Sequence, residues 1–315
     1  MAYYPYFRGK QFELIALREK AGLIAEAGFI PIIEPVRESL AGLVRALDAL
    51  KDSGAGTIVV VNPDCGDHKG DYDAIVELLR GRQLEGNILP GILLSTNLKS
   101  SDLSTLLDEF GHGKIALIHA GFDGGDELVT EIGRRQLDAA NIFLDQSTGM
   151  LYRRRFRQTP RVLVADALIQ TKNSLYPDVE RFSDLHVTYK DRDFDGFGDF
   201  SIVGDNYSES GGPAWAVAIH ITFIDQAREG EMWVHHFKSD TNDTPVDPAG
   251  KFLEAVAKLV AEANSPTTKI YQSSAINEFR ELYRREHFPG LGYVKKLSII
   301  HHLETMANYQ RIAPV

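Results

Sequence analysis

Polar side chains end several apolar segments in the first half of the chain. Glu34 ends FIPIIE, Asn62 and Asp64 end IVVVNPD, His119 lies in IALIHA, and Asp145 ends NIFLD. Carboxylates and imidazoles act as general acids and bases, and carboxylate oxygens also bind divalent metal ions. A ring of ionisable groups on one rim costs desolvation energy unless its members are paired or bind a ligand. The group as a whole therefore predicts a functional site, although each carboxylate alone is equally suited to capping a helix.

We divide the candidates into two sets. The predicted catalytic residues are Glu34, Asp64, Asp145 and Asp199. The predicted ligand-binding residues are Arg8, Lys10, Asn62, His119, His220 and Lys238. Arg8 and Lys10 belong to a cationic RGK turn suited to an anion, although Lys10 and Glu13 are also spaced to pair with each other. Lys238 follows the apolar run EMWVHHF, where an anionic ligand or a hairpin cap would explain it equally.

The elements that must position these residues follow a βα rhythm up to about residue 168. Six apolar β-branched runs alternate with helical patterns, which is typical of a parallel sheet covered on both faces. The sequence favours an irregular (β/α) TIM-like barrel over an open doubly wound sheet, because no strand is followed by the GxGxxG of dinucleotide-binding folds. In such architectures the carboxyl ends of the strands converge on one face, where the site is expected.

The rhythm changes after residue 184. The segments DLHVTYKD, FGDFSIVGD, AWAVAIHITF and EMWVHHFKSD read as strands without intervening helices, so we predict a β-rich segment near 184–240. IDQAREGE reads as a hairpin loop. Three amphipathic patterns then predict C-terminal helices, and Ser100 or Ser101 is the predicted N-cap of an earlier helix. Because no low-complexity linker interrupts the chain, we predict one barrel-like domain over residues 1–315.

Composition narrows the functional classes. Hydrophobic residues make up 43% and charged residues 25%, as in ordinary globular proteins. The net charge of −10 disfavours non-specific binding to nucleic acid. The single cysteine, Cys65, excludes an internal disulfide and fits a reducing compartment; a reactive thiol is an alternative to a passive one. The charged, aromatic start of the chain and the lack of a long apolar run predict a cytoplasmic protein that does not cross a membrane.

One basic segment is an exception to the acidic composition. LYRRRFRQTP interleaves Tyr152 and Phe156 with four arginines, as some nucleic-acid contacts do. Short runs of like charge are more often solvated loop surface. Complete signatures of familiar hydrolases and nucleotide-binding proteins, namely HExxH, GxSxG and GxxxxGK[ST], do not occur in the sequence.

Several segments together resemble the Beta-protein family of phage and bacterial genomes. They are YYPYFRGKQFELIAL, IPIIEPV, GFGDFSIVG, AIHITF and WVHHFKSD, and the likeness runs from about Tyr3 to the last helices. The family's opening pattern is matched by Pro5, Arg8, Gly9, Lys10 and Glu13 in slightly shifted form. The resemblance implies a place in a phage-defence or prophage-associated module beside a nuclease-like neighbour.

Two hypotheses follow for the function. In the first, the protein is a barrel-like subunit that acts with a protein partner, such as the nuclease-like neighbour. In the second, it is an enzyme that uses strand-end carboxylates for acid/base or metal-assisted chemistry on a small anionic or nucleotide-like ligand. The second hypothesis requires the carboxylates to converge. The sequence names no cofactor and no particular metal.

Overall fold

Two compact units make up the chain. The computed structural model describes residues 2–82, 87–209 and 211–312. The first unit comprises the chain up to Asp166 together with Thr188–Phe200, and the second comprises Ala167–Val187 and the chain from Ser201 onward. The chain therefore leaves the first unit after Asp166, contributes one segment to the second, and returns. A single domain over residues 1–315 stays a prediction.

The first unit contains an eight-stranded parallel sheet, with strands numbered along the whole chain. Its members are, in spatial order, β1 (Tyr6–Phe7), β2 (Ile32–Ile33), β3 (Thr57–Val60), β4 (Ile88–Ser95), β5 (Ile115–Ala120), β6 (Ala139–Leu144), β7 (Arg161–Ala165) and β9 (Gly196–Asp199). Strands that are adjacent in this order pair in parallel throughout. All six strands predicted from the βα rhythm are present.

The two edge strands of this sheet approach each other, so the sheet is nearly closed into a barrel. Tyr3, just before β1, forms a parallel bridge with Phe197 of β9. The Tyr4 N–H donates to the Phe197 carbonyl at 2.8 Å, and the Phe197 N–H donates to the Ala2 carbonyl at 3.1 Å. The expected TIM-like (β/α) barrel is confirmed.

Apolar side chains from the strands fill the barrel interior. This core contains Tyr6, Ile32, Ile58, Val60, Leu93, Ala116, Ile118, Ile142, Leu144, Val162, Val164 and Phe200. Side chains alternate between the two faces of a strand, so these residues identify the inward positions of each strand. By the same alternation Arg8, Glu34 and Asn62 follow inward positions, whereas His119 and Asp199 lie on outward ones.

Helices surround the sheet of the first unit. They are α1 (Gln11–Glu19), α2 (Ala21–Ala27), α3 (Ala41–Asp52), α4 (Asp73–Arg80), α5 (Ser100–Phe110), α6 (Gly125–Arg135) and α7 (Met150–Arg153). The six longer helices present apolar residues inward, as Leu43, Leu47 and Leu50 do in α3, whereas α7 buries none of its side chains. The prediction that Ser100 or Ser101 is the N-cap of α5 is wrong. Lys99 holds the cap position and makes no side-chain cap, and Gly111 follows the last turn as expected.

The second unit combines a small antiparallel sheet with three helices. The sheet has the order β10 (Ala218–Asp225), β11 (Glu231–Lys238), β8 (Val179–Ser183), and the loop between β10 and β11 is the predicted hairpin. The helices α9 (Pro248–Ala263), α10 (Ser274–Arg284) and α11 (Leu291–Ile312) follow, as predicted. α9 and α11 pack against the sheet, and α10 packs between those two helices.

One local assignment in the β-rich segment differs from the prediction. DLHVTYKD contains the short helix α8 (Leu185–Thr188), where a strand was expected. FGDFSIVGD supplies β9, which pairs in parallel with β7 as part of the barrel. Within the described ranges, no helix combines the length and the apolar character that crossing a bilayer requires.

Candidate functional site

The most elaborate polar cluster of the first unit surrounds Glu34, at the carboxyl ends of β1, β2 and β3. The Glu34 side chain is only 1% exposed. Its Oε2 accepts a hydrogen bond from the Tyr6 hydroxyl at 2.7 Å and pairs with the Arg8 guanidinium. Its Oε1 accepts from the Asp64 backbone N–H at 3.1 Å and from the Cys65 thiol at 3.3 Å. Four donors therefore hold this buried carboxylate in one orientation.

Arg8 is fixed as firmly as its partner. Its guanidinium carbon lies 5.3 Å from the centroid of the Tyr6 ring and 5.6 Å from that of Phe200. Stacking on aromatic faces suits the planar guanidinium and favours its positive charge. The Arg8 side chain is 14% exposed, so the cation reaches the surface at the mouth of the barrel.

Two glycines allow the loops to approach closely at this cluster. Gly9 has a φ of +63°, and a Cβ there would lie 2.9 Å from the Glu34 carbonyl oxygen. Gly66 has a φ of +76°, and a Cβ there would lie 2.4 Å from the Val36 carbonyl oxygen. Positive φ and absent space both require glycine. The loops after β1 and β3 are thus packed directly onto the segment after β2.

Asp64 is the more accessible carboxylate of the cluster. Its side chain is 30% exposed and pairs with the Lys69 ammonium at 3.1 Å. The Asn97 side-chain amide donates to its Oδ2 at 2.9 Å. The structure therefore brings together Arg8, Glu34 and Asp64 from the predicted sets, with Asp64 facing outward from the buried pair.

Cys65 is a poor nucleophile in this environment. Burial, followed by the negative charge of Glu34, raises the pKa of the Cys65 thiol to about 12, although Arg8 opposes the shift. A thiol attacks as its thiolate, which is scarce at neutral pH when the pKa is high. The structure favours the passive thiol, which here donates a hydrogen bond to Glu34.

Asn62 and Lys10 lie near the cluster in structural roles. The Asn62 side chain accepts from the Leu93 N–H at 2.8 Å and donates to the Leu93 carbonyl at 2.9 Å, so its amide replaces a backbone peptide between β3 and β4. Lys10 precedes α1, where the Glu13 carboxylate accepts its backbone N–H at 3.3 Å. The predicted contact between Lys10 and Glu13 therefore involves the Lys10 backbone.

The remaining candidates of the first unit do not join this cluster. His119 is buried on the outer face of β5, where its ring nitrogens contact the Tyr152 hydroxyl and the Asn141 side chain, each at 2.8 Å. Burial lowers the pKa of His119 to about 3, so the ring is neutral. Asp199, also on the outer face, accepts from the Tyr3 hydroxyl at 2.8 Å. Asp145 pairs with Arg153 at 2.6 Å in the loop after β6.

The arginine-rich segment does not present the surface that nucleic acid would require. Phe156 is buried, and Tyr152 contacts His119. Three of the four arginines pair with carboxylates: Arg153 with Asp145, Arg155 with Asp126, and Arg157 with Asp193. The aromatic rings that would stack on bases are therefore turned inward, and most of the positive charge is already neutralised.

His220 and Lys238, predicted from adjacent strands of the second unit, belong to one polar network. His220 and His236 contact each other through their Nδ1 atoms at 2.6 Å, and His236 Nε2 lies 2.9 Å from a Glu180 oxygen. Burial first, then neighbouring positive charge, lowers the pKa of His220 to about 3 and that of His236 to about 4. Lys238 and His236 line the same open pocket of 550 Å³.

Sequence reasoning missed several residues of these clusters. Tyr4, Tyr6 and Arg8 are spaced two residues apart, and this alternation could have predicted that Tyr6 lies on the same face as Arg8, near Glu34. The Cys65 and Asp64 contacts depend on loop conformation, which no periodicity reveals. Glu180 was missed because β8 was not recognised. Among the described residues, no group of three or more His, Cys, Asp or Glu side chains is arranged to hold a metal ion.

Comparison with other proteins adds no further information. No protein-family model matches this chain, and no curated protein matches it.

Proposed function

We propose that the barrel mouth of the first unit binds a small anionic ligand, with Arg8 as its fixed positive charge. The buried Arg8–Glu34 pair, held by Tyr6, Phe200 and the loop after β3, is the observation that carries the proposal. A buried ion pair contributes less to stability than apolar packing of the same volume often would, so stability alone explains it poorly. Its position at the carboxyl ends of barrel strands is where ligands bind in this architecture.

Asp64 and Glu34 have different roles in this proposal. Glu34 is surrounded by four donors and positions Arg8, whereas Asp64 has an exposed carboxylate within reach of a ligand. An accessible carboxylate beside a bound anion is suited to transfer a proton as a general acid or base. Lys69, which is 57% exposed and paired with Asp64, adds positive charge at the rim.

Ligand-induced stabilisation tests the proposal. Inorganic phosphate, citrate and a nucleoside monophosphate are each added to the protein, and the melting temperature is measured. At least one anion is expected to raise Tm, because a ligand that binds only the folded state stabilises it. The increase should disappear in Arg8→Gln and persist in Arg80→Gln, an exposed arginine paired with Glu109 on the helices. Equal stabilisation of Arg8→Gln and the native protein would contradict the proposal.

The resemblance to the Beta-protein family supports a second proposal, that the protein acts with a protein partner in a phage-defence or prophage-associated module. Two exposed apolar residues of the second unit favour it: Trp215 is 52% exposed and Val246 is 71% exposed. The buried Lys251 ammonium donates to the carbonyls of Ala214, at 3.0 Å, and Thr244. A buried lysine thus ties together the two loops that carry these side chains, and rigid exposed aromatics are typical binding anchors.

Co-purification with the product of the neighbouring gene tests the partner proposal. The native protein is expected to retain that product, and the double variant Trp215→Ala, Val246→Ala is expected to lose most of it. Leu291→Ala, at an equally apolar residue that is 43% exposed in the same unit, is the matched control. Retention by all three proteins would exclude the Trp215 and Val246 surface, and retention by none would exclude this partner.

A further inference from the structure

One pocket of the second unit lies between the end of β11 and the outer side of α9. It has a volume of 550 Å³, within the range of small-molecule sites. Its polar lining is Asp178, His235, His236, Lys238, Lys258 and Glu262, and Phe237 and Ala261 supply apolar surface. Every one of these residues belongs to the second unit. The lining therefore offers charges of both signs beside a small apolar surface.

The two lysines of the pocket each retain one hydrogen-bond donor. Lys238 donates to the Tyr176 carbonyl and pairs with Asp178 at 3.1 Å. Lys258 donates to the Lys238 carbonyl at 2.8 Å and to Asp240 at 2.6 Å. An ammonium group carries three N–H bonds. Across residues 2–82, 87–209 and 211–312, the third N–H of each lysine meets no protein acceptor, and a carboxylate of a ligand would satisfy both.

The acidic side of the pocket is also open to a ligand. The Glu262 carboxylate forms no hydrogen bond or ion pair with any side chain that the structure describes, and its negative charge acts on His235. The His235 ring stacks on Phe237 at 3.9 Å. Burial lowers the pKa of His235, so the ring is neutral near pH 7 and its unprotonated nitrogen can accept a hydrogen bond. Glu262 and His235 together are suited to a protonated amine.

The charge balance of the lining selects between ligand classes. Lys238 with Asp178 and Lys258 with Asp240 form two neutral pairs, which leaves Glu262 as the net charge. An anion alone would meet Glu262 without compensation, and a cation alone would leave the two lysine N–H donors without acceptors. A ligand that carries both an amine and a carboxylate satisfies both sides.

The wall behind the lysines is fixed in place. His236 is 1% exposed and is held between Glu180 and His220, and the Tyr176 ring stacks on it at 4.5 Å. The same Tyr176 provides the carbonyl that orients Lys238. The Lys238 donor is therefore positioned before any ligand arrives, which lowers the entropy cost of binding.

We propose that this pocket binds a small zwitterion, namely an apolar amino acid whose amine and carboxylate are both free. The ligand carboxylate accepts hydrogen bonds from the remaining N–H groups of Lys238 and Lys258. The ligand amine donates to Glu262 and His235, and the apolar side chain packs on Phe237 and Ala261. The proposal is independent of the anion site in the first unit, because the two sites share no residue.

Three probes with the same isobutyl group test the proposal: leucine, isocaproate, which lacks the amine, and isoamylamine, which lacks the carboxylate. Each is titrated against the full chain, and the NMR signal of the His235 ring, assigned with His235→Gln, reports binding. Leucine is expected to bind at least about tenfold more tightly than either analogue, because each analogue leaves charged groups unpaired. Equal binding of an analogue, or no change at His235 with leucine, would overturn the proposal.

Two variants identify the contacts. Glu262→Gln should remove the preference for leucine over isocaproate, and Lys258→Met should remove the preference over isoamylamine. Lys269→Met, at an exposed lysine of the same unit that pairs with Asp225, should change neither. If Glu262→Gln keeps the full preference for leucine over isocaproate, the amine does not bind Glu262 and the assignment is wrong.

Discussion

Tyr3 and Asp199 are joined by a hydrogen bond of 2.8 Å although 196 residues separate them in the chain. The bond lies on the outer face of the barrel, beside the backbone contacts of Tyr4 with Phe197 that close the sheet. Tyr3 is fully buried, and its ring packs on Phe29 and Phe197. Asp199 therefore contributes to barrel closure through this bond, and its catalytic role stays a prediction.

Removal of the Tyr3 hydroxyl is expected to weaken the first unit. Tyr3→Phe leaves the buried Asp199 carboxylate with one donor fewer, which costs about 1–3 kcal/mol of unfolding free energy. Urea denaturation followed by circular dichroism measures the change. Tyr72→Phe, at a half-buried tyrosine before α4, is the control and should change stability little. Equal stability of Tyr3→Phe and the native protein would show that the bond does not matter.

Gly9 and Gly28 have nearly the same positive φ, so comparing their alanine variants separates the cost of backbone strain from the cost of a steric clash. Gly9 and Gly28 have φ values of +63° and +64°, but only a Cβ at Gly9 meets a neighbour, the Glu34 carbonyl oxygen. Gly28→Ala should cost about 1 kcal/mol for its left-handed backbone. Gly9→Ala should cost about 1–3 kcal/mol more, because the loop must move away from Glu34. Similar unfolding free energies for the two variants would contradict the close packing at Gly9.

The Cys65 thiol should react slowly in the native protein. Its pKa of about 12, compared with the ordinary value of 9.0, implies roughly a thousandfold less thiolate at neutral pH. Alkylation by iodoacetamide, followed by mass spectrometry, is expected to proceed far faster in urea than in buffer. Comparable rates under the two conditions would show that Glu34 and burial do not protect the thiol.

The second unit should lose stability in mild acid. The pKa of His220 is lowered to about 3, and the pKa values of His236 and His301 to about 4, chiefly by burial. Because the folded values lie below the unfolded value near 6.5, the histidines contribute full stability above that pH. As pH falls from about 6.5 toward 4, the unfolded state gains protons first, and each histidine changes the unfolding equilibrium by up to about tenfold per pH unit.

Unfolding curves between pH 4 and 7 test this expectation. His301 is the most informative position, because it contacts Ser273 at 2.8 Å and the Thr222 carbonyl at 2.8 Å, with Glu304 and His302 as its titratable neighbours. His301→Gln should reduce the slope of stability against pH. His112→Gln, at a half-exposed histidine of the first unit, is the control. An unchanged slope in His301→Gln would contradict the assignment.

The fold was more predictable than the site, for a physical reason. Strands buried on both faces read as continuous apolar runs, so IALIHA and GFGDFS revealed strands without revealing which residues face inward. His119 and Asp199 were expected at the mouth, but the inward positions belong to their neighbours Ile118, in β5, and Phe200, directly after β9. Glu34 was placed correctly at the mouth, where it pairs with Arg8.

The edge strand β8 and the short helix α8 could not be predicted from the apolar pattern, for another reason. β8, VERFS, lies at the edge of its sheet and exposes Val179 and Arg181, so it lacks the apolar alternation of a buried strand. LHVT contains β-branched residues typical of strands, yet forms the helix α8, where His186 contacts the Gly230 carbonyl at 2.8 Å. Tertiary contacts of this kind override local propensity.

The route of the chain through the two units dictates an order of assembly. β1 pairs with β2, which follows it within about thirty residues. The strand that bridges to the segment before β1 on the other side, β9, is translated much later. Between them the chain passes through β8, whose partner strand β11 is translated later still. The ring is therefore sealed late, by contacts between residues nearly two hundred positions apart, which slows folding. A nascent chain released before Asp199 would display an unsatisfied sheet edge, open to pairing with other chains.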